Sequence, residues 1–256
     1  MSSYPNKQNY TIDETTLQDV LIYEYDMNKS GLSLLKEYSD LDKSIISRLE
    51  HLDKFERNVE IGNIMKSNKD YFNAVEKNIK IVMQEFFKVN EIELSNIVSI
   101  KRDAVFSTKK CTILQLSENI TFKLVDTYSS FYRFGNVEFY YSEKNKSFIY
   151  KGLGENCVEN NLFLKEFSKL IKLLEKATPQ NRFRLLQDFR KDYCSKKFDI
   201  EMYRECNPKN LFRLKDINKN VNGFEFFAEG YNDKEEIDGI YNYNKFIVPI
   251  IKTFTT

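Results

Sequence analysis

Two aspartates offer the clearest chemistry in this sequence. Asp26 closes the apolar run Val20-Leu-Ile-Tyr-Glu-Tyr-Asp26, just before the turn-like Asn28-Lys-Ser-Gly31. Asp103 lies in the polar middle of Ile97-Val-Ser-Ile-Lys-Arg-Asp-Ala-Val-Phe106, a stretch apolar at both ends. Two carboxylates delivered by separate strands can hold divalent cations, and Mg²⁺ sites of that kind use one or two carboxylates plus substrate phosphates instead of a full protein cage. Glu24 shares a sheet face with Asp26 in a regular strand and is a candidate auxiliary acid. Both aspartates also have plainer uses. Asp26, with Asn28 and Ser30, suits the cap of a following helix, and Asp103 suits a hairpin tip paired with Lys101 or Arg102.

Cations and amides stand at spacings that would serve phosphates. Lys54, Arg57 and Asn58 fall on one helical segment with Gly62, although a solvated face with Glu56 and Glu60 as partners fits the same spacing. Lys101 and Arg102 flank Asp103, and Lys151 ends a short apolar stretch. Arg182, Arg184, Arg190 and Lys191 lie in one later helical segment with Lys196 and Lys197 beside it; they could grip nucleic-acid phosphates, or form a solvated face with the interleaved Asp188 and Asp192. Zinc chemistry is disfavoured. The cysteines at 111, 157, 194 and 206 show no C-x-x-C spacing, and His51 is the single histidine.

The elements that must position these groups can be read from periodicity. Val20 to Asp26 predicts a strand buried on both faces. From Gly31 to Asn90 the pattern turns helical: Leu41, Ile45, Leu49 and Leu52 recur at helical spacing, residues 53–66 form a further helix, and Phe72, Val75, Ile79, Val82 and Phe86 repeat the stripe. Residues 97–106 predict a tight hairpin with a polar tip. Short strands follow at residues 111–116, 120–124, 136–141 and 147–150. Leu162, Phe163, Phe167, Leu170, Ile171 and Leu174 mark one helix, and Phe183, Leu186, Phe189 and Tyr193 another after Thr178-Pro179. The tail reads as short strand-like pieces at residues 223–228 and 246–251. The expected fold class is α+β: a small mixed or antiparallel sheet with an all-helical insertion and a C-terminal helical pair.

That order resembles the palm, fingers and thumb layout of family B DNA polymerases over roughly residues 18–195. Their first motif, D-x-x-S-L-x-P-S, has Asp26-Met-Asn-Lys-Ser-Gly-Leu-Ser33 in its place; the fingers motif K-x-x-x-N-S-x-Y-G is similar to Lys54-Phe-Glu-Arg-Asn-Val-Glu-Ile-Gly62. The third motif, D-T-D-S, is matched in its second half by Asp103-Ala104, and the strand ending in a Lys-Gly step resembles Tyr140 through Lys151-Gly152. The serine falls one position late, the Leu-Tyr-Pro element is absent, and Lys101-Arg102 replace the first Asp-Thr. The resemblance implies Asp26 and Asp103 as catalytic metal ligands, with Glu24 auxiliary, for Mg²⁺ or Mn²⁺. Lys54, Arg57 and Asn58 would face nucleoside triphosphates, and Lys101, Arg102, Lys151, Arg182, Arg184, Arg190 and Lys191 would face primer-template DNA. The expected protein is a minimal, viral or mobile-element polymerase without an exonuclease domain. The alternative is a non-catalytic α+β protein that binds a partner protein or nucleic acid.

Composition bounds both readings. With 39 Lys plus Arg against 38 Asp plus Glu there is no global basic field, so nucleic-acid binding must rest on local patches. The longest late apolar run, 246–251, contains Pro249 and is far too short to span a bilayer. The expectation is therefore a cytoplasmic protein with no membrane partner. Its expected segments are a polar arm at 1–12, a palm-like core at 13–155 with the helical insertion at 31–92, a thumb-like helical segment at 156–198, and a mixed segment at 199–256.

Overall fold

The structure, a computed structural model, describes residues 9–153, 161–203, 206, 211–214, 219–222 and 242–255. It is α+β, and the chain falls into two compact units. The first holds residues 9–14, 18–130 and 142–147; the second holds residues 15–17, 131–141 and the chain from 148 onward.

The first unit is a sheet with four helices. Strand β1 (Asn9–Thr11) and β2 (Thr16–Met27) precede α1 (Ser30–Tyr38), α2 (Lys43–His51), α3 (Lys54–Ser67) and α4 (Lys69–Val89). The hairpin β3 (Ile97–Lys101) and β4 (Ala104–Ser107) follows, then β5 (Phe122–Phe134), whose first residues belong here. The strands lie in the order β1-β3-β4-β2-β5, and the pairs β1–β3, β3–β4 and β2–β4 are antiparallel. The alternation of β2 explains its burial. Tyr25 and Met27 enter the core beneath α1 and α4, beside Leu32, Leu35, Val82 and Phe86, while Glu24 and Asp26 take the opposite face. The helical insertion therefore forms as its periodicity predicts. The polar arm departs in part from expectation, because residues 9–11 pair with β3 as an edge strand.

Residues 111–116 do not form the expected strand. They run as a loop held by side chains, with a single bridge between Gln115 and Thr121. Tyr25 Oη accepts from the Cys111 N–H at 2.7 Å. Asn90, buried at the end of α4, accepts from the Thr112 and Ile113 N–H groups at 3.1 and 2.9 Å and donates to the Ile113 carbonyl at 2.8 Å. One amide thus replaces a strand partner. Asn90→Ala removes the acceptor of the Thr112 and Ile113 N–H groups and the donor to the Ile113 carbonyl and is expected to cost about 1–2 kcal/mol, read as a lowered midpoint in urea unfolding with the slope unchanged.

The second unit contains the end of β5, β6 (Val137–Ser142), β7 (Ser147–Lys151) and the helical pair α5 (Leu162–Lys176) and α6 (Pro179–Cys194). Beyond these come a small hairpin, β8 (Leu211–Leu214) with β9 (Lys219–Asn222), and a π-turn at Tyr243–Ile247 that runs into α7 (Val248–Thr255). Both helices form where expected; the first buries most of its stripe, whereas in the second Leu186 and Tyr193 are buried and Phe183 is exposed. Asn161 and Thr178 cap the two helices, and Pro179 occupies the first turn of α6. Residues 246–251 are a correction: they are helical, not a strand. Phe246, Ile247 and Ile250 are buried at helical spacing, and the Phe246 ring packs against Phe134, Phe139, Phe163 and Phe167. Pro249 lacks an N–H, and the wider π-turn just before it fits that missing donor. The other strand expected in the tail, residues 223–228, lies outside the described residues. Among the described residues no helix is long and apolar enough to cross a membrane.

Candidate active site

The hairpin β3–β4 brings Asp103 to the end of β2. Ladder pairing sets Asp26 opposite Ala104, and the Met27 N–H donates to the Asp103 carbonyl at 3.0 Å. Arg102 makes the turn with φ 58°, in the left-handed region. The Asp103 side chain is fixed from the helical side: Ser30 Oγ, on the first residue of α1, donates to Asp103 Oδ2 at 2.5 Å. The hairpin-tip cations are engaged elsewhere, Arg102 with Glu76 on α4 at 2.5 Å and Lys101 Nζ with Thr11 Oγ1 at 3.4 Å.

The capping role open to Asp26 is not what the structure contains. The cap position of α1 is Lys29, in the left-handed conformation at φ 47°, and no side chain caps that helix. Asp26 instead pairs with Lys123 on β5, Nζ to Oδ2 at 3.5 Å. Burial first, then the Asp103 charge, hold the Asp26 carboxyl above its ordinary range; Lys123 works in the opposite direction without cancelling them. A raised folded-state pKa means the strain on folding is absent below the ordinary value of 3.8 and sets in as pH rises through the folded-state value. Asp26→Asn is therefore expected to raise Tm by roughly 2 °C at pH 8 and to lose that advantage by pH 4, as thermal melts at the two pH values would read.

Glu24 is buried, and the Tyr128 hydroxyl donates to its Oε2. Burial and the Glu24 charge push the Tyr128 phenol up, so it remains a proton donor at neutral pH. Phe106 stacks on the Tyr128 ring, closing this face of the sheet behind the acids.

Beside Asp103, and without Asp26 among its lining residues, lies a cleft of about 360 Å³, lined by Ser30 and Gly31 of α1, Asn58 and Gly62 of α3, and Arg102 and Asp103 of the hairpin, with apolar α3 and α4 side chains between. Of the three expected α3 contacts, Asn58 reaches this cleft. Lys54 is exposed at the first turn of α3. Arg57 is buried and donates to the Leu52 carbonyl at 3.0 Å, tying α3 to the end of α2. Among the described residues no three His, Cys, Asp or Glu side chains gather as a metal site. The acids of the candidate site are the Asp26–Asp103 pair.

The second unit carries the other expected contacts. Lys151 ends β7. Arg182 donates to the Leu174 and Glu175 carbonyls, closing the end of α5. Arg184 pairs with Asp188 at 3.7 Å, Arg190 donates to Tyr243 Oη at 2.8 Å, and Lys191 is exposed. Residues 162–197 hold ten Lys or Arg against four Asp or Glu, so the helical pair is basic in a nearly neutral chain. Sequence reasoning missed Lys123, Glu76 and the Ser30 bond to Asp103. Their meaning depends on the β2–β5 pairing and on where α1 begins, and neither leaves a local sequence signal.

Over residues 1–254 the chain matches the family described as Bacteriophage PBS1 gene 130 protein. No curated protein matches it. The match fits the viral origin expected from the sequence.

Proposed function

The chain belongs to the Bacteriophage PBS1 gene 130 protein family; from the placement of its two aspartates we propose that it is a palm-type nucleotidyltransferase that extends a primer end. The observation that carries this reading is the convergence of Asp103, at a hairpin tip, on Asp26, at the end of the neighbouring strand, beside a cleft walled by α1 and α3.

The donor set fits Mg²⁺ or Mn²⁺. Two like charges are held together, each carboxylate has one oxygen engaged by Ser30 or Lys123, and substrate phosphates would complete the coordination. Asp26 and Asp103 would hold the ion, which when bound supplies positive charge to the attacking 3′-hydroxyl and to the departing pyrophosphate. Ser30 keeps Asp103 oriented. The first turn of α1 carries no side-chain cap, and Ser30 and Gly31 line the cleft, so free N–H groups are available to triphosphate oxygens. The Asn58 amide, with donor and acceptor on one group, suits a nucleotide edge. The basic helical pair of the second unit suits nucleic-acid phosphates.

A primed DNA template incubated with four deoxynucleotides and Mg²⁺ or Mn²⁺ tests the reading. Metal-dependent extension supports it. Absence of extension with either metal, together with retained binding of the template, would favour the non-catalytic alternative.

A further inference from the structure

We propose that Gly62 is a specificity-determining position, kept without a side chain so that the heteroaromatic base of a bound nucleotide lies flat against the backbone of α3. The inference rests on the triphosphate reading. It goes beyond that reading in naming what the cleft holds apart from phosphates and which residue admits it.

Two glycines line the cleft, and they are bare for different reasons. At Gly31 a Cβ would stand 3.3 Å from Ile61 Cγ2 and 3.6 Å from Ile61 Cδ1, so the close approach of α1 to α3 accounts for it. At Gly62 a Cβ would meet nothing within 4 Å. Gly62 lies in the interior of α3, with none of the positive φ that Gly135 and Gly152 show. A glycine inside a helix costs stability relative to alanine, and here neither packing nor backbone conformation asks for it. Close approach of a ligand to the backbone does.

The surroundings suit a planar, mostly apolar group with polar edges. Asn58, Ile61, Gly62 and Met65 share one face of α3 and line the cleft together. Val75 and Ile79 of α4 add to the apolar wall. Ile61, Val75 and Ile79 are buried and fixed, whereas the half-buried Met65 thioether can adjust to a ring. The Asn58 amide, one turn before Gly62, offers a donor and an acceptor to the ring edge. The groups suited to phosphates, Ser30, Gly31 and Arg102, come from α1 and the hairpin instead. At about 360 Å³ the cleft falls within the range of small-molecule sites.

Isothermal titration of the full chain in Mg²⁺, with the four deoxynucleoside triphosphates and with inorganic tripolyphosphate, tests this. The parent is expected to bind nucleotides at least about tenfold more tightly than tripolyphosphate. Gly62→Ala is expected to raise Tm by about 2 °C and yet weaken nucleotide binding about fivefold. Gly62→Leu is expected to weaken it about a hundredfold, and neither variant should change tripolyphosphate binding. Nucleotide affinity unchanged in Gly62→Leu, equal losses for both probes, or a parent that binds both probes equally would overturn the inference while the triphosphate reading stands. A lowered Tm in Gly62→Ala would overturn it too, by giving the glycine a packing role. If the parent binds neither probe, the triphosphate reading falls and this inference with it.

Discussion

Asp103→Asn is expected to lower metal-dependent primer extension by about 10³-fold or more, with Tm changed by no more than a few degrees. A carboxylate that holds a catalytic ion supplies several kcal/mol of transition-state stabilisation, and each 1.36 kcal/mol is a factor of ten in rate. The amide keeps the size of the side chain and still accepts the Ser30 hydrogen bond. The turn is held by main chain, through the Met27 N–H on the Asp103 carbonyl, which the substitution leaves intact. Activity should therefore fall without the fold. Single-turnover extension beside a thermal melt separates the two. A loss of less than tenfold would mean that Asp103 is a hairpin-tip residue and no more.

Gly152→Ala is expected to be the most damaging single-methyl change to stability, costing at least about 3 kcal/mol, or roughly 6–12 °C in Tm. Gly152 follows β7 with φ 86°, a conformation that penalises any Cβ, and an ideal Cβ there would stand 2.1 Å from the Asn136 carbonyl oxygen. That oxygen is backbone, so it cannot swing aside. Urea unfolding should show the loss. A cost below 1 kcal/mol would mean that the chain after β7 relaxes freely. The Lys-Gly step that resembles a polymerase motif thus has a structural reason of its own in this protein.

Local periodicity carried most of the fold. The stripe Phe72, Val75, Ile79, Val82 and Phe86 reads as α4, and all but the exposed Phe72 pack toward one core. The apolar ends of residues 97–106 read as a hairpin because a polar tip must meet solvent. What failed was set by distant partners. Residues 111–116 carry strand-like residues, but the Asn90 and Tyr25 side chains take their N–H groups before any ladder can form. The long β5 was legible only at its start, because Asp126, Thr127, Ser129 and Ser130 break the apolar pattern. Residues 246–251 mislead through Pro249, whose disruption is taken up by a π-turn.

Within the site, Asp26 and Asp103 were legible because each ends or interrupts an apolar strand. Arg57 was expected at the triphosphate through the resemblance of its helix to a fingers motif, and a motif does not say that its guanidinium turns inward to the Leu52 carbonyl. Lys123 could not be assigned, since a cross-strand neighbour of Asp26 is fixed by register and not by any local pattern.

The central claim is that Asp26 and Asp103 hold a divalent ion together, and metal-directed cleavage of the chain tests it most directly. With Fe²⁺ and ascorbate in place of Mg²⁺, cuts are expected in two short segments, one around Asp26 and one around Asp103. Excess Mg²⁺ should suppress both cuts, and either Asp26→Asn or Asp103→Asn should remove both together. Cuts confined to one of the two segments, or cuts that survive both substitutions, would contradict the account.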